Sequence, residues 1–175
     1  KEIPVALTGL EAMQECTKTV FGDGGRGTLH GVEDDKGYFL SPHLLEALDP
    51  EAAEIHDREI FGPVATIIPY DGTAERAIHL TSLGRGSLVS SVYSDNNKFL
   101  QAMAVGLAPF NGRLHLASSK IAEHSIGPGT VLPQLLHGGP GRAGGGQELG
   151  GIRGMTFYMQ RVALQGYAPF LEKLS

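Results

Sequence analysis

A single cysteine, Cys16, leaves the chain no internal disulfide to make, and one thiol fits a reducing compartment. Basic residues are also scarce: 14 Lys and Arg stand against 19 Asp and Glu, a formal net charge of −5. With no basic stripe to neutralise phosphates, a nucleic-acid partner is not expected. No apolar run reaches the roughly 18 residues that a membrane helix needs. No basic-then-apolar leader stands before position 30, so no membrane contact is expected and a cytoplasmic location is. The seven histidines show no metal-ligand spacing: there is no His-Glu-x-x-His and no Cys/His cluster, so no metal is expected. The pairs Ser90-Ser91 and Ser118-Ser119 lack a Gly-x-Ser-x-Gly elbow, which leaves a serine hydrolase without support. There is no internal repeat.

What remains is an ordinary core. In 175 residues, 41% of them hydrophobic, one domain is the default. Glycine is plentiful and uneven: eight of the 25 lie between Gly138 and Gly151. The chain opens at Lys1 without a methionine and reads as a piece of something longer. Thr8 and Glu11 form a capping-box pattern, which predicts a helix over about 9–20 that contains Cys16. A strand opens at Tyr38 and is ended or kept at a sheet edge by Pro42. Asp49-Pro50-Glu51 begins a turn, followed by about one helical turn to Ile55. The pattern then becomes regular: strand 64–70, helix 74–83, strand 87–93, helix 96–107 with Asp95 as its cap, and strand 112–117. Such alternation predicts parallel strands with right-handed crossovers, an α/β three-layer sandwich with a mainly parallel sheet. Beyond it, a helix from Gln147 to about Tyr158 and a strand over 161–166 are expected, with a loose tail over 167–175.

The chemistry gathers at His56-Asp57-Arg58-Glu59-Ile60-Phe61-Gly62-Pro63-Val64. Pro63 cannot donate to a sheet ladder and biases Gly62 toward extended or turn geometry. Glu59 and Phe61 therefore sit on a bend that delivers the chain into the strand at Val64, where exposed side chains can meet a ligand. Spacing alone favours a solvated acid and a satellite cluster around Phe61. A second tract, Gly139-Pro140-Gly141-Arg142-Ala143-Gly144, spells the dinucleotide fingerprint, but it lacks the acid expected about 20 residues later and has proline in the tight turn. It reads as a loop in which backbone replaces bulky side chains.

Glu-Ile-Phe-Gly-Pro-Val resembles the Glu-x-Phe-Gly-Pro signature of the aldehyde dehydrogenase superfamily. The segment from His137 to Arg153, with Gln147-Glu148-Leu149-Gly150 at its centre, resembles the family's glycine-rich loop at the substrate entrance. Its form is similar to that of the CoA-linked semialdehyde dehydrogenases of aromatic-acid degradation. The resemblance runs from about Gly37 to Gly166 and implies the C-terminal part of a catalytic domain, over 1–166. It further implies an NADP or NAD cofactor, a small-molecule aldehyde substrate, CoA-linked, and a homodimer built through strand 161–166. On the same resemblance, Glu59 holds the ribose hydroxyls beside the nicotinamide and Phe61 packs on its ring. A carboxylate accepts two hydrogen bonds from a diol, and an aromatic face covers a flat ring. His137 is a weaker candidate for substrate contact, with a plain loop histidine as the alternative. Arg142 suits a coenzyme A phosphate or is simply solvated.

The resemblance implies that the nucleophilic cysteine, the general base and the nucleotide-binding segment all precede Lys1, and that this piece alone does not oxidise aldehyde. Cys16 has no cation, base or helix N-terminus to lower its pKa and no nucleophile motif around it, so it reads as structural. The competing class is a non-catalytic α/β binding or assembly module that uses the glycine loop as a partner surface.

Overall fold

A computed structural model describes residues 2–33, 36–124, 127–130, 135, 137–144, 152, 155, 158–159 and 163–174. The chain starts with helix α1, Glu2–Met13, and strand β1, Thr17–Phe21. The helix expected over 9–20 is thus placed too late. Thr8 lies inside α1 rather than capping it, and Cys16 lies in the turn that follows. The β-branched residues of Thr17-Lys18-Thr19-Val20 favour a strand. Thr17 Oγ1 also donates to the Met13 carbonyl at 2.7 Å, closing the helix where the strand begins.

β2, His43–Ala47, pairs antiparallel with β1 and parallel with β3, Val64–Ile67. It buries His43, Leu45 and Ala47 on one face. The strand opening at Tyr38 is therefore shorter than expected and central rather than an edge. Pro42 stands just outside it, where no ladder N–H is needed.

β4, Ser87–Tyr93, and β5, Asn111–Ala117, pair in parallel as a second sheet. Helices α3, Ala74–Ser82, and α4, Asn97–Leu107, alternate with them. Val92, Met103 and Leu107 form their buried centre, packed by Ala77, Ile78, Phe99 and Leu114. The α/β class and the majority of parallel pairings are as the alternation predicts. The ladder differs at one point: among the described residues β3 bonds to β2, and no ladder joins it to β4. β3 stops at Ile67, shortly before Pro69, which has no N–H to extend it. The cap of α4 also differs. Asn96 Oδ1 accepts from the Lys98 and Phe99 amides, while Asp95 accepts from the Ser119 amide and hydroxyl, both at 2.8 Å.

The expected helix after Gln147 falls mostly outside the described residues, as do Arg161 and Val162 of the expected dimer strand. Residues 163–166 are irregular, and a short helix α5, Ala168–Leu171, lies in the tail. No described helix is long and apolar enough to cross a membrane.

Candidate functional site

The corner is built from a short helix and a proline bend. An Asx turn at Asp49, whose Oδ1 accepts from the Glu51 amide at 2.9 Å, leads into α2, Ala53–Asp57. His56 Nε2 donates back to the Pro50 carbonyl at 2.7 Å and ties α2 to that turn. Glu51 is braced from α3 by Arg76 and by His79 Nε2 at 3.3 Å. Hydrogen bonding from the Arg76 guanidinium, followed by its charge, holds the Glu51 carboxyl below the usual glutamate range.

Past α2 the backbone is extended at Arg58. Ile60 turns inward and packs on Gly9 of α1, where a Cβ would lie 2.9 Å from Ile60 Cγ1. Its neighbours Glu59 and Phe61 consequently face outward; Phe61 is 72% exposed. Pro63 then closes the bend. The Val64 amide donates to the Gly62 carbonyl at 2.8 Å, and the Pro63 carbonyl accepts from the His43 amide at 2.8 Å, so the corner is welded to β2.

Glu59 shares a cleft of about 510 Å³ with His56, Arg58, Gly86, Leu88, Arg142 and Ala143, among others. Among the described residues, no hydrogen bond or ion pair takes up its carboxylate. A larger cleft of about 590 Å³ between α1 and the β1–β2 face lies away from Glu59 and Arg142. His137 is half-buried in a neighbouring pocket of about 270 Å³ with Ser91, Arg113 and Pro128. Leu88 and Val89 line both that pocket and the Glu59 cleft, so β4 forms a wall common to the two. Phe61 faces solvent and lines none of these pockets; Glu59 and Arg142 share one cleft, and His137 lies in the pocket that meets it at Leu88 and Val89.

The glycine loop is pressed onto the start of the second sheet. A Cβ on Gly112 would stand 1.6 Å from the Gly138 carbonyl oxygen, and one on Gly141 would stand 2.0 Å from that of Arg85. Gly141 also has a φ of 57°, a conformation that costs glycine little. The loop is closed on itself by the Gly139 amide donating to the Gly144 carbonyl at 2.9 Å. Arg142 crosses to the corner: Nη1 donates to the His56 carbonyl at 2.9 Å and Nη2 to the Asp57 carbonyl at 2.7 Å.

Sequence reasoning missed Arg85 and Arg113. Arg85 pairs with Asp57, and its carbonyl accepts from the Arg142 amide at 3.1 Å. Arg113 holds the Pro128 and Thr130 carbonyls, the latter at 2.7 Å, and fixes the loop above His137. No local pattern marks either residue, because the partners are distant in sequence. Cys16 lines neither the Glu59 cleft nor the His137 pocket. Burial, and then the charge of Glu54, push its thiol up, the opposite of what a nucleophile needs. Among the described residues no group of three or more His, Cys, Asp or Glu could hold a metal.

The profile of the aldehyde dehydrogenase family matches residues 8–163. The chain is 40% identical to "Protein MaoC" of Klebsiella aerogenes over 93% of its own length and 49% of that protein's. It is 38% identical to the 3,4-dehydroadipyl-CoA semialdehyde dehydrogenase of Aromatoleum evansii, over 77% of its own length and 26% of that enzyme's. It therefore spans about half or less of the length of these relatives. A betaine aldehyde dehydrogenase double mutant from Staphylococcus aureus, solved in complex with NAD+, superposes with a TM-score of 0.71 at 23% identity. That match covers 90% of this chain and 28% of the solved one. A 3,6-anhydro-L-galactose dehydrogenase solved in complex with NAP gives 0.68 at 21%, over 91% and 30%.

Proposed function

The chain belongs to the aldehyde dehydrogenase family, and from that premise we propose that it forms the nicotinamide and substrate-entrance side of an NAD(P)-dependent enzyme oxidising an aldehyde to its acid. The thiol that attacks the aldehyde and the base that activates water belong, on this reading, to the rest of the protein. A bound nicotinamide cofactor would supply the hydride acceptor. This chain's own residues then have a positioning task. The Glu59 carboxylate accepts hydrogen bonds from the ribose diol, and the exposed Phe61 ring covers one face of the nicotinamide. On this reading His137 and the glycine loop border the aldehyde's entrance, with Arg142 reaching into the Glu59 cleft.

The observation that carries the reading is the state of Glu59: an outward carboxylate in a cleft, held on a corner fixed through Ile60 and Pro63, with no intramolecular partner among the described residues. The 38% identity to an enzyme named for a CoA semialdehyde favours a CoA-linked semialdehyde as the substrate class. The test uses the full-length protein that carries this segment. Glu59→Gln weakens a charge-assisted contact by about tenfold or more in cofactor affinity and slows hydride transfer, read by fluorescence titration and single-turnover absorbance. Unchanged affinity and turnover would remove Glu59 from this role. A kcat/KM no better for a CoA-linked semialdehyde than for the free semialdehyde would remove the substrate class.

A further inference from the structure

We propose that Arg142 is a positioning residue that locks the glycine loop to the Glu59 corner, so that substrate side and cofactor side move as one piece. The inference rests on the reading of Glu59 given above. The last carbonyls of a helix have no intrahelical donors and carry the negative end of its dipole. α2 ends at Asp57, and its His56 and Asp57 carbonyls are taken up not by a local cap but by one guanidinium, 86 and 85 residues further along the chain. A planar fork presents two donors to adjacent carbonyls in a fixed geometry, which a freely rotating ammonium on a flexible stem does not.

The clasp is closed from its other end. Arg85 stands at a φ of 57°, its carbonyl accepts from the Arg142 amide at 3.1 Å, and its guanidinium reaches the Asp57 carboxylate. The circuit Arg142–Asp57–Arg85–Arg142 thus joins the glycine loop, the turn before β4 and the end of α2. Glu59 follows Asp57 by two residues on extended backbone, with Ile60 as its next anchor. Releasing Arg142 frees the near side of that short span and lets the carboxylate wander from the diol. The glycine contacts supply the stiffness. With Gly141 against Arg85 and Gly112 against Gly138 at backbone distance, the loop cannot shift without moving the start of β4 or β5.

A guanidinium occupied by two carbonyls predicts a different kinetic signature from one that binds a substrate phosphate. In the full-length protein, Arg142→Gln is expected to raise the Kd and KM for the nicotinamide cofactor about threefold to tenfold, the scale of one or two lost hydrogen bonds. Its KM for a CoA-linked semialdehyde stays in proportion to that for a CoA-free aldehyde. Arg142→Lys recovers only part of the loss. Added to Glu59→Gln, Arg142→Gln brings little further loss of cofactor affinity, since it acts through that carboxylate. A KM change confined to the CoA-linked substrate, or full additivity with Glu59→Gln, overturns the clasp. If Arg142→Gln is not recovered as folded protein by circular dichroism, the same readouts on Arg142→Lys decide. An effective Glu59→Gln beside a silent Arg142 variant defeats this inference alone, whereas a silent Glu59→Gln defeats the reading beneath it.

Discussion

At the scale of single residues, the thiol of Cys16 and the carboxylate of Glu59 illustrate opposite environments. Cys16 Sγ donates to the Met13 carbonyl at 3.4 Å, while burial and the charge of Glu54 both penalise its thiolate. Since the thiolate is the reactive form, iodoacetamide at pH 7 is expected to label the Cys16 peptide more slowly than glutathione, followed by mass spectrometry. Labelling as fast as glutathione would contradict that environment. The outward position of Glu59 on a bend was legible in the sequence because Ile60 and Pro63, which fix that bend, lie within four positions of it; the role proposed for its carboxylate came from the resemblance. Arg142 was legible only as a charge in a glycine loop. The carbonyls it holds belong to residues that no local window contains, so a phosphate contact and a solvated side chain were the only options its neighbourhood offered.

At the scale of elements, β4, β5, α3 and α4 could be read because strand alternation and helical spacing agree with the packing around Val92, Met103 and Leu107. α1 and β1 could not, since the capping-box pattern at Thr8 competes with β-branched residues whose preference is realised only when β2 arrives to pair with them. The glycines divide the same way: composition marks the cluster but not which members bear weight. Gly112 is at the start of β5 beneath the Gly138 carbonyl, whereas nothing lies within 4 Å of a Cβ on Gly129. Gly112→Ala forces backbone apart and is expected to destabilise the protein by about 2 kcal/mol or more. Gly129→Ala should stay within about 0.5 kcal/mol of wild type, as surface changes do. Paired urea melts of the two variants check this, and equal midpoints would mean the loop is not pressed onto β5 as described.

At the scale of the whole molecule, four hydrogen-bonded carboxylates share one sign of pKa shift. Glu51 is lowered first by the hydrogen bond from Arg76, Asp23 by the Gly25 amide, Asp71 by the Thr73 hydroxyl and Asp95 by the Ser119 amide. Each binds its proton less readily when folded than when unfolded, so the unfolded chain takes up more protons in acid and stability rises with pH there. The stabilisation is complete above the ordinary values, 4.5 for Glu51 and 3.8 for the aspartates, and is lost as pH falls through the lower folded values. All four groups are solvent-exposed, which keeps each effect small and salt-sensitive. The urea midpoint is therefore expected to fall progressively as pH drops from 5 toward 3, and less steeply at high salt. Glu51→Gln removes one titrating partner of Arg76 and His79, so its midpoint should start lower at pH 5 and fall less on acidification. An acid limb as steep in Glu51→Gln as in the parent would show that the tie between α3 and the turn before α2 contributes nothing to holding the Glu59 corner in place.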